Sequence, residues 1–260
     1  MSDIILVERT DNMSKYKKAY KHNKNIFVMS DIHGMYDEFL IKLDEINFSD
    51  DDYLFILGDV VDRGGKPIEL LQYIMAQRNM ILLIGNHEQM MMDAIYLTED
   101  NEIYYDENSA EFQRWMNNGG GVTFKQFKSL SFKEQFAILD YLNNLYYYQI
   151  VKMNGMSYFL SHAGVDPKKS LKAQTPHDFV WIREEFYNAK GLKGYFHIFG
   201  HTPTKYLNND GESELWFDVA HKDKLCIDCG AYCGGKLNCI RLPYEIPELS
   251  IKAVKKKAGR

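Results

Sequence analysis

The chain has 260 residues, 45% of them apolar and 26% charged, an ordinary globular composition with length enough for one large domain. Its net charge of −5 argues against broad nucleic-acid binding through a basic face. No apolar run approaches the roughly 18 residues needed to span a bilayer, and the polar, lysine-containing start has no signal-peptide core, so the expectation is a cytoplasmic protein with neither membrane nor nucleic-acid partners.

In chain order, residues 1–24 carry little pattern and read as an extension, either loose or with a short helix around 13–20. Residues 25–30 read as a strand that ends in Asp31-Ile32-His33-Gly34, and 36–46 have helical spacing. Residues 53–57 repeat the plan. They are an apolar segment of buried-strand type, followed by Gly58-Asp59-Val60-Val61-Asp62-Arg63-Gly64-Gly65 and a helix over about 67–78 with proline in its first turn. A third strand over 80–84 leads to Gly85-Asn86-His87-Glu88 and a helix over about 89–97. Three strand–polar loop–helix units imply parallel strands with right-handed crossovers, and ligands then gather beyond the carboxyl ends of the strands.

Residues 101–145 begin acidic and then read as helices over 111–117 and 131–142, where Ser131 and Glu134 form a capping-box pair. Gly119-Gly120-Gly121 between them is no P-loop, because no strand leads in and no Lys-Ser/Thr follows; it reads as a flexible loop near the site. Strands over 146–152 and 156–160 flank the hairpin signal Asn154-Gly155, and the second runs into His162-Ala163-Gly164. Residues 167–189 read as loop and helix. A strand over 195–199 then ends in Gly200-His201-Thr202-Pro203. All four cysteines, Cys226, Cys229, Cys233 and Cys239, fall in one stretch. Their spacing invites a structural zinc, but 225–228 and 237–242 read as two strands joined across Gly234-Gly235, and alternation along strands works against four sulfurs converging. The whole reads as a single domain over 25–250, with a basic tail over 251–260.

Asp31, His33, Asp59, Asn86, His87, His162 and His201 all sit just past strands. Asp31 and His33, at i and i+2, point the same way from extended backbone. Mixed imidazole and carboxylate donors suit Mn, Fe or Zn, and the set is too large for one ion and about right for two. His22, His177, His197 and His221 lack that context and read as surface or core residues.

The ordered motifs Asp31-x-His33-Gly34, Gly58-Asp59-x-Val61-Asp62-Arg63-Gly64, Gly85-Asn86-His87-Glu88, His162-Ala163-Gly164 and Gly200-His201-Thr202-Pro203 resemble those of the metal-dependent phosphoprotein phosphatases, most closely the bacterial and bacteriophage lambda type of serine/threonine phosphatase. The resemblance implies an α/β, calcineurin-like four-layer sandwich: two central mixed β-sheets flanked by helices, with a dinuclear metal site at the C-terminal strand edge. It implies one metal on Asp31, His33 and Asp59 and a second on Asp59, Asn86, His162 and His201, with manganese the usual ion. It implies His87 as general acid held by Asp62, and Arg63, Arg183 and Asn86 on the phosphate. Ser30 stands where many relatives have glycine. Cys229 stands where they often have threonine, which raises the expectation of a redox-sensitive thiol near the site. The implied reaction is hydrolysis of phosphorylated proteins, possible phosphotyrosine included, by direct attack of a hydroxide that bridges two ions about 3.5–4 Å apart. A symmetrical diadenosine-polyphosphate hydrolase on the same scaffold is the alternative, and a non-catalytic phosphoprotein-binding scaffold a weaker one. Asp62, Glu88 and Thr202-Pro203 favour the protein phosphatase. A cysteine-dependent phosphatase is excluded, since no arginine lies six residues after any cysteine.

Overall fold

The computed structural model describes residues 5–10, 15–20 and 25–244. The chain opens with strands β1 (Ile5–Thr10) and β2 (Lys15–Tyr20), then β3 (Ile26–Met29), helix α1 (Tyr36–Glu45), β4 (Tyr53–Ile56), α2 (Pro67–Ala76), β5 (Met80–Leu82) and α3 (Asn86–Ala94). A short hairpin of β6 (Ile95–Leu97) and β7 (Ile103–Tyr105) precedes α4 (Ala110–Trp115), a π-helical turn (Met116–Gly120), α5 (Gly121–Lys128) and α6 (Phe132–Asn143). There follow β8 (Tyr148–Met153), β9 (Met156–Ser161), α7 (Pro176–Val180), α8 (Glu184–Tyr187), β10 (Phe196–Phe199), β11 (Trp216–Phe217), β12 (Lys224–Cys226) and β13 (Cys239–Leu242).

Among the described residues the strands form a seven-stranded sheet in the order β11-β12-β10-β9-β8-β1-β2, a four-stranded sheet in the order β13-β3-β4-β5, and the β6–β7 hairpin. Both large sheets are mixed: β3, β4 and β5 run parallel with β13 antiparallel, and β9, β10 and β12 run parallel with antiparallel neighbours. The period of two along each strand builds the layers. Ile26, Val28, Phe55 and Leu57 face Tyr158, Leu160, Ile198 and Leu225 between the sheets. Phe27, Met29, Leu54 and Ile56 point the other way, into the core under α1 to α6. On the far side of the larger sheet Phe159, Phe199 and Cys226 pack against Phe179 and Val180 of α7 and Phe186 of α8. The order is helices, sheet, sheet, helices, the expected four-layer sandwich. No helix among the described residues is long and apolar enough to cross a membrane.

Three local expectations are corrected, and the placement of the two cysteine-bearing strands, which the sequence left open, is settled. The described part of the 13–20 segment is strand, because β2 pairs with β1 and β1 adds to the edge of β8; tertiary pairing of backbone groups overrides weak local preference. The helix expected over 89–97 starts at Asn86 and stops at Ala94, where Ile95 and Tyr96 leave it to pair with Tyr105 and Tyr104. The cysteine-bearing strands are not paired with each other: β12 lies beside β10 in one sheet and β13 beside β3 in the other, so the connection crosses the open end of the sandwich. Their sulfurs find separate neighbours, and among the described residues no metal-capable cluster includes a cysteine. The Gly119 triplet is not a loose loop but the kink that joins α4 to α5. The basic tail lies outside the described residues.

His197, in β10, is buried, its Nε2 accepts the Leu192 N–H at 3.1 Å, and burial holds its pKa down at about 4. The unfolded value is about 6.5, so between the two the unfolded chain binds more protons, and stability present above pH 6.5 is lost as pH falls toward 4. His197→Gln keeps an acceptor without the titration. Unfolding midpoints followed from pH 7 to 4 are expected to show a shallower acid limb, by up to ~3 kcal/mol at the acid end. An unaltered limb assigns the acid sensitivity to other groups.

Candidate active site

The polar loops after β3, β4, β5, β9 and β10 meet at one edge of the sandwich, and the backbone there is unusual. Asp31, His33, Asp59, Asp62, Arg63 and His201 all take positive φ, between 47° and 71°. Left-handed backbone is costly for such residues and persists only where surrounding contacts over-determine it. Those contacts are present. His33 N–H donates to Asp59 O at 2.8 Å and Gly34 N–H to Val60 O at 2.8 Å, lacing the first loop to the second. Glu88, fully buried in α3, accepts from the backbone N–H groups of Asp59 (2.8 Å), Val60 (2.8 Å), Val61 (3.2 Å) and Gly85 (2.9 Å). At Gly85 any side chain would collide with the Asp59 carboxylate, so the second and third loops can touch only through glycine. Glu88→Ala strands four buried donors at about 1–3 kcal/mol each before relaxation. A loss of at least ~3 kcal/mol is expected in denaturant unfolding, whereas a change of ~0.5 kcal/mol, typical of an exposed site, contradicts this role.

Among the described residues, two clusters of donor atoms close enough to hold an ion emerge from this frame: His33, Asp59 and His87, and Asp59, His162 and His201. Asp59 belongs to both. Its Oδ2 lies 3.5 Å from His33 Nε2 and its Oδ1 3.5 Å from His162 Nε2. A carbonyl oxygen can only accept, so the Nδ1 atoms of His33, 3.0 Å from Val61 O, and of His162, 2.7 Å from Leu57 O, carry the protons. Each Nε2 lone pair is thereby turned into the site. His162 Nε2, His201 Nδ1 and Asn86 Oδ1 then converge within 3.2 Å of one another. Burial, with neighbouring positive groups, lowers the pKa of His33 and His201 well below the usual histidine range; burial lowers that of His162 to about 3. Burial and then Asp228 raise the Asp31 pKa, while burial and then Asp31 raise that of Asp59. Buried lone pairs facing one another beside crowded carboxylates are the donor set a pair of divalent cations fits.

Every residue expected at the site reaches this edge, with differences in detail. Asp31 stands outside both clusters. Its carboxylate takes the Ser30 hydroxyl and the His201 N–H, the latter at 3.0 and 3.2 Å. His87 lies inside the first cluster, and its Nδ1–H donates to Asp62 Oδ2 at 2.6 Å, leaving Nε2 directed toward Asp59 at 3.9 Å. Arg63 and Arg183 are exposed on two sides of the site. Arg63 Nη1 is 2.7 Å from His33 Nε2, so this contact and a cation on His33 exclude each other, and Arg183 Nη1 donates to Thr202 Oγ1 at 2.9 Å. A cleft of about 380 Å³ opens past Arg63, between Tyr36, Lys66 and Tyr232, and another of about 490 Å³ past Arg183, beside His177 and Trp181.

Sequence reasoning missed four neighbours. Trp115 and Thr123 both donate to Asp62. Asp228 is buried behind Asp31, and burial lifts its pKa to about 6. The Tyr232 ring stacks 4.1 Å from the Arg63 guanidinium. Only Tyr232 had a local signal, an aromatic between glycines. Cys229, by contrast, is buried beside Asn238, and burial raises its pKa, which disfavours the reactive thiolate; the expected redox sensitivity finds no support there.

A family profile described as calcineurin-like phosphoesterase matches residues 24–231. Serine/threonine-protein phosphatase 2 of Salmonella typhimurium is 28% identical over 243 residues, 86% of this chain and 94% of its own length. Serine/threonine-protein phosphatase 1 of the same organism is 27% identical, covering 85% and 94%. A symmetrical bis(5'-nucleosyl)-tetraphosphatase of Buchnera aphidicola is 35% identical over 99 residues, only 35% of this chain and 36% of its own length. Among solved structures, a protein provisionally assigned as a diadenosine tetraphosphatase superposes with a TM-score of 0.57 at 16% identity, over 85% of this chain and 90% of that one.

Proposed function

The chain belongs to the calcineurin-like phosphoesterase family, and from that premise we propose that it is a metal-dependent protein serine/threonine phosphatase. The observation that carries this reading is a buried His87–Asp62 pair, 2.6 Å apart, directed at a carboxylate shared by two donor clusters. A serine or threonine alkoxide is a poor leaving group and needs a positioned proton donor. The near full-length match to two Salmonella serine/threonine phosphatases supports the same choice.

In this reading Asp31, His33 and Asp59 hold one ion, and Asp59, Asn86, His162 and His201 the other, with manganese the ion of choice. Two such ions supply Lewis acidity and acidify water at neutral pH. The remaining work falls to the chain. Arg63 and Arg183 bind phosphoryl oxygens from opposite sides, bidentate contact fixing the group for in-line attack. Asn86 Nδ2 adds a donor. Asp62 holds the His87 proton on Nδ1 and orients Nε2, from which a second proton passes to the departing oxygen. Because the chain is acidic overall, charge at the phosphoryl group is neutralised locally. An extended peptide laid across the site meets the clefts beside Arg63 and Arg183 in turn.

The dinucleotide tetraphosphatase relatives define the competing reading. Turnover of a phosphoserine peptide measured against diadenosine tetraphosphate, with manganese present, separates the two. Preference for the peptide is expected; preference for the dinucleotide overturns the assignment.

A further inference from the structure

Asp62 has no exposed surface, and among the described residues no lysine or arginine pairs with its carboxylate. Besides His87, its partners come from one short segment. Trp115, the last residue of α4, donates through Nε1–H to Oδ2 at 2.9 Å and to Oδ1 at 3.1 Å. Thr123, in the first turn of α5, donates its hydroxyl to Oδ1 at 2.6 Å and accepts the Asp62 backbone N–H at 2.9 Å. Between them Gly119, at φ 99° in the π-helical turn, accepts the N–H of Arg63 at 3.2 Å. A side chain at Gly119 would press on Arg63 Cγ at 2.9 Å. π-Helical turns inside helices recur at functional sites because they redirect side chains and backbone groups.

Packing accounts for the Trp115 ring, which meets Phe112 and Phe124 edge-on, each with ring centres 6.1 Å away. It does not account for an indole N–H aimed at both oxygens of one carboxylate in an otherwise apolar layer. Nor does it account for a threonine hydroxyl that closes a reciprocal pair with the same residue. A buried carboxylate left short of donors is expensive, and one free to rotate no longer fixes the imidazole bonded to it.

We propose that Trp115 and Thr123 are positioning residues for proton donation: they lock the Asp62 carboxylate so that it in turn fixes the ring of His87, while Gly119 ties Arg63 to the same turn. One segment thus sets the relation between the proton donor and a phosphate-binding arginine. This rests on the phosphatase reading above, with His87 as the donor.

The effect must then depend on the leaving group, since an alkyl phosphate needs the proton and a nitrophenyl phosphate does not. With manganese-loaded full-length protein, Trp115→Phe keeps the ring and removes the N–H. It is expected to lower kcat on a phosphoserine peptide about 10-fold, with KM little changed and a much smaller loss on para-nitrophenyl phosphate. Thr123→Val, a second and isosteric route should Trp115→Phe unfold, is expected to give the same split, and Thr123→Ser to restore kcat. In an Asp62→Asn background Trp115→Phe is expected to cost less than 2-fold more, because it acts through Asp62. Equal losses on both substrates, or a full additional loss in the Asp62→Asn background, overturn the inference and leave Trp115 as core packing. A wild-type protein that releases phosphate from neither substrate is a separate result: it removes the phosphatase reading itself, and this inference with it.

Discussion

Asp59→Asn is expected to lose metal and activity together. Its two oxygens face separate clusters, His33 with His87 on one side and His162 with His201 on the other, so a neutral amide weakens both sites at once. A fall in kcat/KM of about 10³ corresponds to ~4 kcal/mol of transition-state stabilisation, and bound manganese should drop below two ions per chain. The metal-free protein should move the other way. Burial, Asp31 and Glu88 all oppose ionisation of Asp59, so removing its charge relieves repulsion and raises the unfolding temperature of the apo form. A variant that keeps both ions contradicts the shared position of Asp59; one that loses activity with metal intact moves its role elsewhere.

His87→Asn separates two roles that the geometry offers the same ring. As proton donor, its loss should lower kcat on phosphoserine about 10²- to 10³-fold while the decline on para-nitrophenyl phosphate is far smaller, because nitrophenolate departs without a proton. Metal content should hold. As a ligand, which its place beside His33 and Asp59 permits, its loss should strip metal and slow both substrates alike. Kinetics on the two esters together with metal analysis decide between them, and equal slowing with depleted metal removes His87 from proton transfer.

What could be read from residues alone follows a physical division. The loops Asp31–His33, Asp59–Arg63 and Asn86–Glu88 were legible because each follows a short apolar strand, and the parallel β3-β4-β5 arrangement then brings their ends to one edge. His162 and His201 join through the second sheet, since β9 and β10 lie side by side and parallel. The capping box of Ser131 with Glu134 is local, and it is present in α6. What escaped was non-local. Trp115 and Thr123 lie 53 and 61 residues from Asp62, and nothing in their neighbours marks a carboxylate partner. The destinations of β12 and β13 depend on which sheet has a free edge. Lys15–Tyr20 becomes strand only because β1 extends the sheet beyond β8.

The central claim is that residues up to 170 positions apart assemble to share two cations around Asp59. Calorimetric titration of chelator-treated protein with manganese, with phosphate release followed at each addition, tests it most directly. The account predicts binding that saturates at two ions per chain, with activity absent at the start and maximal only at the second equivalent. Full activity with no ion bound, or saturation at a single ion, contradicts it.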